Sequence, residues 1–253
     1  MIGVLRTWAG VGRSAIVYYA RPWKLRQLTR FYAQFLNEGD LAFDVGAHLG
    51  NRSIAMVRNG AKVVALEPQD AFFRAFNLFR PASVTLLPLA AGPEITTAQL
   101  AVSSLHPTVS SLAAGFSETV GKTAGFEHVR WDRTQQVQVT TLDRLIAEHG
   151  LPRLLKIDVE GFEADVLAGL SQPINTVAFE YLPATLDTAM ECIERLASLG
   201  SYEFNIVQGE QQQLSLQEWQ DAATMRETLA AMAKTGRSGD VYARINAQLS
   251  VGT

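Results

Sequence analysis

The chain alternates short, unbroken apolar runs with stretches whose apolar residues recur every three or four positions. Unbroken runs read as strands buried on both faces, and the longer spacing reads as helices packed over them. Residues 23–36 (WKLRQLTRFYAQFL) put Leu25, Leu28, Phe31, Tyr32, Phe35 and Leu36 on one helical face, with a basic face opposite. Asn37-Glu38-Gly39-Asp40 stops that helix. A strand follows, Leu41-Ala42-Phe43 ending in Asp44, and SIAMVRNG behind it is helical. Residues 62–68 (KVVALEP) form the next strand, and the helix after it carries Phe72, Phe73, Phe76 and Phe79 as a core stripe. A third strand covers 84–89 and ends in Ala90-Ala91-Gly92.

The regular alternation then breaks. Residues 99–102 form a strand, but 103–136 are rich in Ser, Thr and Gly and have no clean period. A long irregular stretch inside a compact domain points to a functional loop, here a lid over the substrate. It holds His106, Ser110, Ser111, His128, Arg130, Trp131 and Asp132. Strand signal resumes at 137–141, and the helix LDRLIAEHG closes at Gly150. Residues 154–170 (LLKIDVEGFEADVLAGL) read as a buried strand, an acidic turn and a helix. An apolar strand at 176–182, a helix at 185–199 and strands at 202–208 and 240–246 complete the chain. A Gln-rich connection with a helical piece at 219–232 joins the last two strands. This order predicts an α/β domain over 39–253, preceded by a basic amphipathic helical segment at 1–38.

Composition bounds the rest. At 253 residues, 47% of them hydrophobic, the chain has the length for one sizeable α/β domain. The lone Cys192 rules out an internal disulfide and fits a reducing, cytoplasmic setting, with no signal peptide expected. No apolar run is long enough to span a membrane, since Arg6, Arg13 and Arg21 interrupt the N-terminal hydrophobics. The net charge of −3 is uneven: the first 37 residues hold six basic side chains and no acid, leaving 16 basic against 25 acidic residues. A basic segment can touch membrane phosphate, nucleic acid or an anionic substrate. The reading taken is a helix docked on the acidic body, with no nucleic-acid partner.

Candidate chemistry lies at the strand tips. Asp44-Val45-Gly46-Ala47-His48-Leu49-Gly50 joins a buried strand to a helix start, the layout of a nucleotide-binding turn. Gly46 permits a tight turn, and Gly50 permits close approach of a ligand or of the opening helix. Glu67, followed by Pro68, ends the next strand about twenty residues on, where an acid can accept from ribose hydroxyls. A dinucleotide turn carries one more glycine, and Asp44 would repel a pyrophosphate. A cationic donor without phosphate suits it better, which points to S-adenosylmethionine. The small residues around Ala91 either leave room for its adenine or simply form a turn.

The second cluster is Asp158 and Glu160, with Lys156 before them and Glu180 ending the neighbouring strand. Alternation places Asp158 and Glu160 on one face. Such carboxylates can act as a general base or hold a divalent cation such as Mg²⁺; Asp158 and Glu160 are the catalytic candidates, and all three are metal candidates. No repeat, metal-type Cys/His spacing or GxSxG occurs.

FDVGAHLGNRS, VALEP, TTLDRL and LKIDVEGFEADVLAGL, in this order over residues 39–182, resemble the FkbM family of S-adenosylmethionine-dependent methyltransferases. The resemblance implies a Rossmann-like class I methyltransferase fold, a seven-stranded mostly parallel sheet with helices on both faces and an antiparallel last strand. It implies O-methylation of a small molecule, sugar or glycolipid. It places Asp44, Gly46, Ala47, His48 and Gly50 in the donor loop, although His48 departs from the small or amide residue usual there. Glu67 matches the ribose-binding acid. A nicotinamide-dependent oxidoreductase and an inactive methyltransferase-like scaffold are the competing classes, and a homo-oligomer stays open.

Overall fold

The computed structural model describes residues 2–103, 110–113, 129, 131–209 and 211–246. Two helices lead, α1 (Ile2–Tyr19) and α2 (Pro22–Tyr32). Next come β1 (Leu41–Val45), α3 (Asn51–Val57), β2 (Lys62–Leu66), α4 (Asp70–Asn77), β3 (Val84–Leu87) and β4 (Leu89–Ala91). The middle holds β5 (Thr96–Val102), β6 (Arg133–Thr140), α5 (Leu142–His149), β7 (Leu154–Ile157) and α6 (Glu163–Ala168). The chain finishes with β8 (Thr176–Tyr181), α7 (Leu186–Leu199), β9 (Tyr202–Gln208), α8 (Ala222–Ala233) and β10 (Gly239–Ile245).

Seven strands form one sheet in the order β3-β2-β1-β7-β8-β10-β9. The pairs among β3, β2, β1, β7 and β8 are parallel, and β10 is antiparallel to both its neighbours. The chain winds outward from β1 to β3, then returns to build the other half from β7. Strand order therefore reverses between β1 and β7, whose carboxyl ends open a crevice.

Both sheet faces are covered. Alternate strand residues Phe43, Leu155, Phe179 and Val241 pack under α5, α6, α7 and α8. Ala42, Leu154, Ala178 and Tyr242 point the other way, under α2 and α3. The predicted apolar face of α2 is realised here: Phe31 and Phe35 both lie 5.2 Å, centroid to centroid, from the Tyr242 ring.

Three expectations change. Phe79, read as part of the core stripe, lies beyond the end of α4 and is exposed. The run at 84–89 is two strands, not one: β3 stays in the main sheet, while β4 leaves to pair with β6 in a three-stranded sheet, β4-β6-β5. Pro88 sits at the break and has no N–H with which to continue the ladder. The supposedly irregular stretch also loses its end to strand, since β6 begins at Arg133 and pairs with β5 through Val102. Its first residues, Arg-Thr-Gln-Gln, are polar, are not buried on either face and show no apolar period. Within 103–136, His106, His128 and Arg130 lie outside the described residues.

Candidate active site

The crevice is built around Gly46. It sits at φ 86°, and a Cβ there would stand 1.9 Å from the Asp158 backbone oxygen. The tips of β1 and β7 touch at this point, so only hydrogen fits between them. Gly50, at φ 76°, faces a different neighbour: its Cβ would lie 1.9 Å from the Phe76 ring, so its close approach is to a core side chain.

Behind the turn, Asp44 is fully buried and accepts from Ser53 Oγ at 2.5 Å. Its Oδ1 has no partner among the described residues. Burial raises its pKa despite that hydrogen bond. Glu67 is also buried; Oε2 accepts from the His48 N–H and Oε1 from the Gln69 N–H, both at 2.8 Å. Burial pushes Glu67 up to about 7, against the pull of those two amides. Each carboxylate oxygen keeps a second lone pair, so Glu67 retains capacity to accept from a ligand hydroxyl.

Two hollows flank this turn. One is a narrow cleft of about 40 Å³ lined by Glu67, Pro68, Ala90, Ala91, Leu112 and Phe162 among others. Seating a purine there requires its walls to part. The larger cavity, about 340 Å³, runs from Ala47 and Arg52 past Asp158, Glu160 and Glu180 to Asp240. Gly46, His48 and Asp158 line both. Asp44 and Gly50 line neither.

Register explains the acids. Asp240 pairs with Glu180 across β10 and β8, and one step beyond Ile157↔Phe179 brings Asp158 beside Glu180. Three adjacent strands thus present one acid each in a row on the face covered by α2. Glu160 joins them by a different route from the predicted one. β7 ends at Ile157, so strand alternation no longer applies, and a left-handed turn at Glu160, φ 55°, swings its side chain to the cavity. Ser111 Oγ donates to the Glu160 carbonyl at 2.6 Å, while Glu163 Oε1 accepts from the Val159 and Gly161 amides. Among the described residues three non-glycine residues have positive φ: His48, Glu160 and Gln212. All three line the larger cavity, where such strain is characteristic of functional sites.

Charge is arranged in two layers. Lys156, fully buried, donates to Asp240 Oδ1 and to the Ile157 carbonyl, both at 2.9 Å. Arg52 reaches Asp158 at 3.3 Å and Asp240 at 3.5 Å. Burial opposes ionisation of Asp158, but Lys156, Arg52 and His48 outweigh it and hold its pKa below the usual carboxylate value. Glu160 and Glu180 go the opposite way: burial and neighbouring acids raise both well above it. One carboxylate oxygen from each of Asp158, Glu160 and Glu180 lies within 4.8 Å of the others. Glu180 Oε2 has no partner among the described residues.

Sequence reasoning missed Arg52 and Asp240. A basic residue in the first turn of α3 opposes the helix dipole, which was a signal that it serves a specific partner. It also missed Tyr18, Lys24, Leu25 and Leu28, through which α1 and α2 wall the larger cavity.

The methyltransferase FkbM domain matches residues 44–235. The chain belongs to this family. The FkbM match spans both acid clusters but leaves out α1, α2 and β10, and with them Lys24 and Asp240. A curated relative, hexuronic acid methyltransferase AglP from Haloferax volcanii, is 26% identical over 166 residues, 62% of this chain and 63% of its own length. The chain thus aligns with less than two thirds of that protein. Among solved structures, the precorrin-6y C5,15-methyltransferase of Geobacter metallireducens is 12% identical at TM-score 0.46, covering 89% of this chain and 87% of its own. A TehB-like SAM-dependent methyltransferase from Corynebacterium glutamicum is 9% identical at TM-score 0.43, covering 92% and 99%. Likeness at that level adds nothing to what the strand order establishes.

Proposed function

We propose that this FkbM-family chain transfers the methyl group of S-adenosylmethionine to a hydroxyl oxygen of a saccharide or glycolipid. The observation that carries the reading is the shared wall: Gly46, His48 and Asp158 border both the narrow cleft and the larger cavity. A donor in the first and an acceptor in the second would meet there. The name of the AglP relative supports a sugar acceptor.

The donor, when bound, supplies a methyl carbon already activated by its sulfonium. The narrow cleft takes the nucleoside once its walls part, with Glu67 accepting from the ribose hydroxyls and the base lying against Ala90 and Ala91. The buried, half-satisfied Asp44 carboxylate favours a cationic ligand in front of it. The acceptor hydroxyl enters from the larger cavity. As its oxygen bonds to the methyl carbon, the carbon–sulfur bond breaks and a neutral thioether leaves. The hydroxyl proton passes to Glu160 when that carboxylate is ionised; it holds a proton more readily there than Asp158, whose pKa is lowered. Asp158, kept ionised by Arg52 and Lys156, orients the acceptor by accepting a hydrogen bond. General-base help of this kind contributes ~10²–10⁴-fold.

The 4.8 Å spacing of Asp158, Glu160 and Glu180 favours a second reading, in which they hold a divalent cation such as Mg²⁺. Such an ion would acidify the hydroxyl in place of Glu160.

Calorimetric titration with S-adenosylhomocysteine, NADH and NADPH tests the donor, and labelled donor offered with saccharides and glycolipids tests the acceptor. Binding of the homocysteine product alone, with label moving to a sugar hydroxyl, is expected. Heat from a nicotinamide cofactor instead would replace the reading with an oxidoreductase. Product binding with no turnover on any acceptor would leave a scaffold.

A further inference from the structure

The N-terminal helices leave an apolar and basic face that the methyl-transfer reading does not use. On α1, Trp8 is 45% exposed and Ile16 68%, and exposed Arg13 lies one turn before Ile16 on the helix surface. Trp23, at the start of α2, is 57% exposed. α1 packs beside α4, with the Tyr19 and Phe79 rings edge to face at 5.7 Å. There α4 and its end add Leu78, 83% exposed, and Phe79, 48% exposed. Arg21, Arg26 and Arg30 are exposed on the same segment, which has no acid before Glu38. The rest of the chain is acidic, so this charge is concentrated rather than averaged over the surface.

We infer that α1 and α2 form a docking surface for an anionic lipid bilayer. Exposed tryptophan and aliphatic side chains interleaved with Arg13, Arg26 and Arg30 describe an element that lies in the headgroup region. No helix among the described residues is long and apolar enough to cross a membrane. Nucleic acid would use the arginines but gives no role to Ile16 or Leu78, so the lipid surface accounts for more of what is exposed. The same two helices supply Tyr18, Lys24, Leu25 and Leu28 to the larger cavity, so docking sets its mouth beside the headgroups.

Co-sedimentation of the full chain with vesicles tests this independently of methyl transfer. Binding is expected to vesicles of phosphatidylglycerol mixed with phosphatidylcholine, and not to phosphatidylcholine alone. Arg13→Glu with Arg26→Glu should weaken it about tenfold or more. Ile16→Ser with Trp23→Ser should weaken it similarly while leaving S-adenosylhomocysteine binding and melting temperature unchanged, which shows the variant folded. Absence of sedimentation with anionic vesicles overturns the inference. Binding indifferent to Ile16 and Trp23 but abolished by competing RNA overturns it in favour of nucleic acid. A dimer in solution that Ile16→Ser dissociates, without vesicle binding, overturns it in favour of a second copy of the chain.

Discussion

The Arg52 guanidinium lies 3.3 Å from the Asp158 carboxylate, spanning from the first turn of α3 to the tip of β7. This ion pair holds Asp158 at the shared wall of the two hollows and, after Lys156, helps to keep its pKa below the usual carboxylate value. Arg52→Ala removes the partner of a half-buried carboxylate, at a cost of about 1–3 kcal/mol. The expected result is a lower melting temperature and a fall in turnover, with Arg52→Lys recovering part of both. Thermal unfolding and steady-state kinetics check it, and unchanged turnover would detach Arg52 from the site.

Glu160 and Asp158 separate by their pKa directions. Glu160→Gln keeps size but cannot take a proton, so turnover should fall roughly a hundredfold or more while S-adenosylhomocysteine affinity stays nearly constant. Asp158→Asn should lower both turnover and stability, because Arg52 and Lys156 lose a counter-charge. Loss of activity with EDTA and its return with Mg²⁺ would transfer the role of Glu160 to a bound cation.

Glu67→Ala should weaken S-adenosylhomocysteine binding by about 1–3 kcal/mol, the effect of leaving buried hydroxyls without an acceptor. Calorimetry reads this directly. Equal affinity in a folded variant removes Glu67 from the donor cleft.

Glu163 gives a pH prediction. Burial raises it from an ordinary 4.5 to about 7, so between those values the folded state holds more proton than the unfolded one. Its contribution to stability is therefore present at low pH and is lost as pH rises toward about 7. Glu67, raised in the same direction, acts alike. Glu163→Gln can still accept from the Val159 and Gly161 amides through its one oxygen. Its melting temperature should vary less between pH 5 and 8 than that of the parent chain, by an amount on the order of a few kcal/mol in unfolding free energy.

Gly46→Ala should destabilise the fold and abolish product binding together, since the added carbon overlaps the Asp158 carbonyl and the backbone is left-handed there. Retained binding with an intact fold would place the donor elsewhere.

What was legible in the sequence was local. Asp44, Gly46 and Glu67 announce themselves because strand, turn and acid follow one another within a short stretch. Asp158 and Glu160 could be seen for the same reason, although the face of Glu160 could not, because its position depends on one left-handed residue rather than on strand period. Asp240 was invisible as a site residue: only the insertion of β10 beside β8 aligns it with Glu180, 60 positions earlier in the chain. Lys24 and Leu25 were read as parts of an amphipathic helix, and nothing local says that this helix would wall a cavity.

The place of β10 has a consequence for a chain still being synthesised. β9 leaves the ribosome before β10, yet β10 lies between β8 and β9 in the finished sheet. Until residues 239–245 arrive, β9 lacks the ladder that joins it to the sheet among the described residues, and the buried ammonium of Lys156 has no Asp240. Strand β10 therefore completes the described sheet and gives Lys156 its Asp240 partner in one step. A chain stopped short of it would keep the turn at Gly46 but lack the β10 ladders to β8 and β9 and the Asp240 side of the larger cavity.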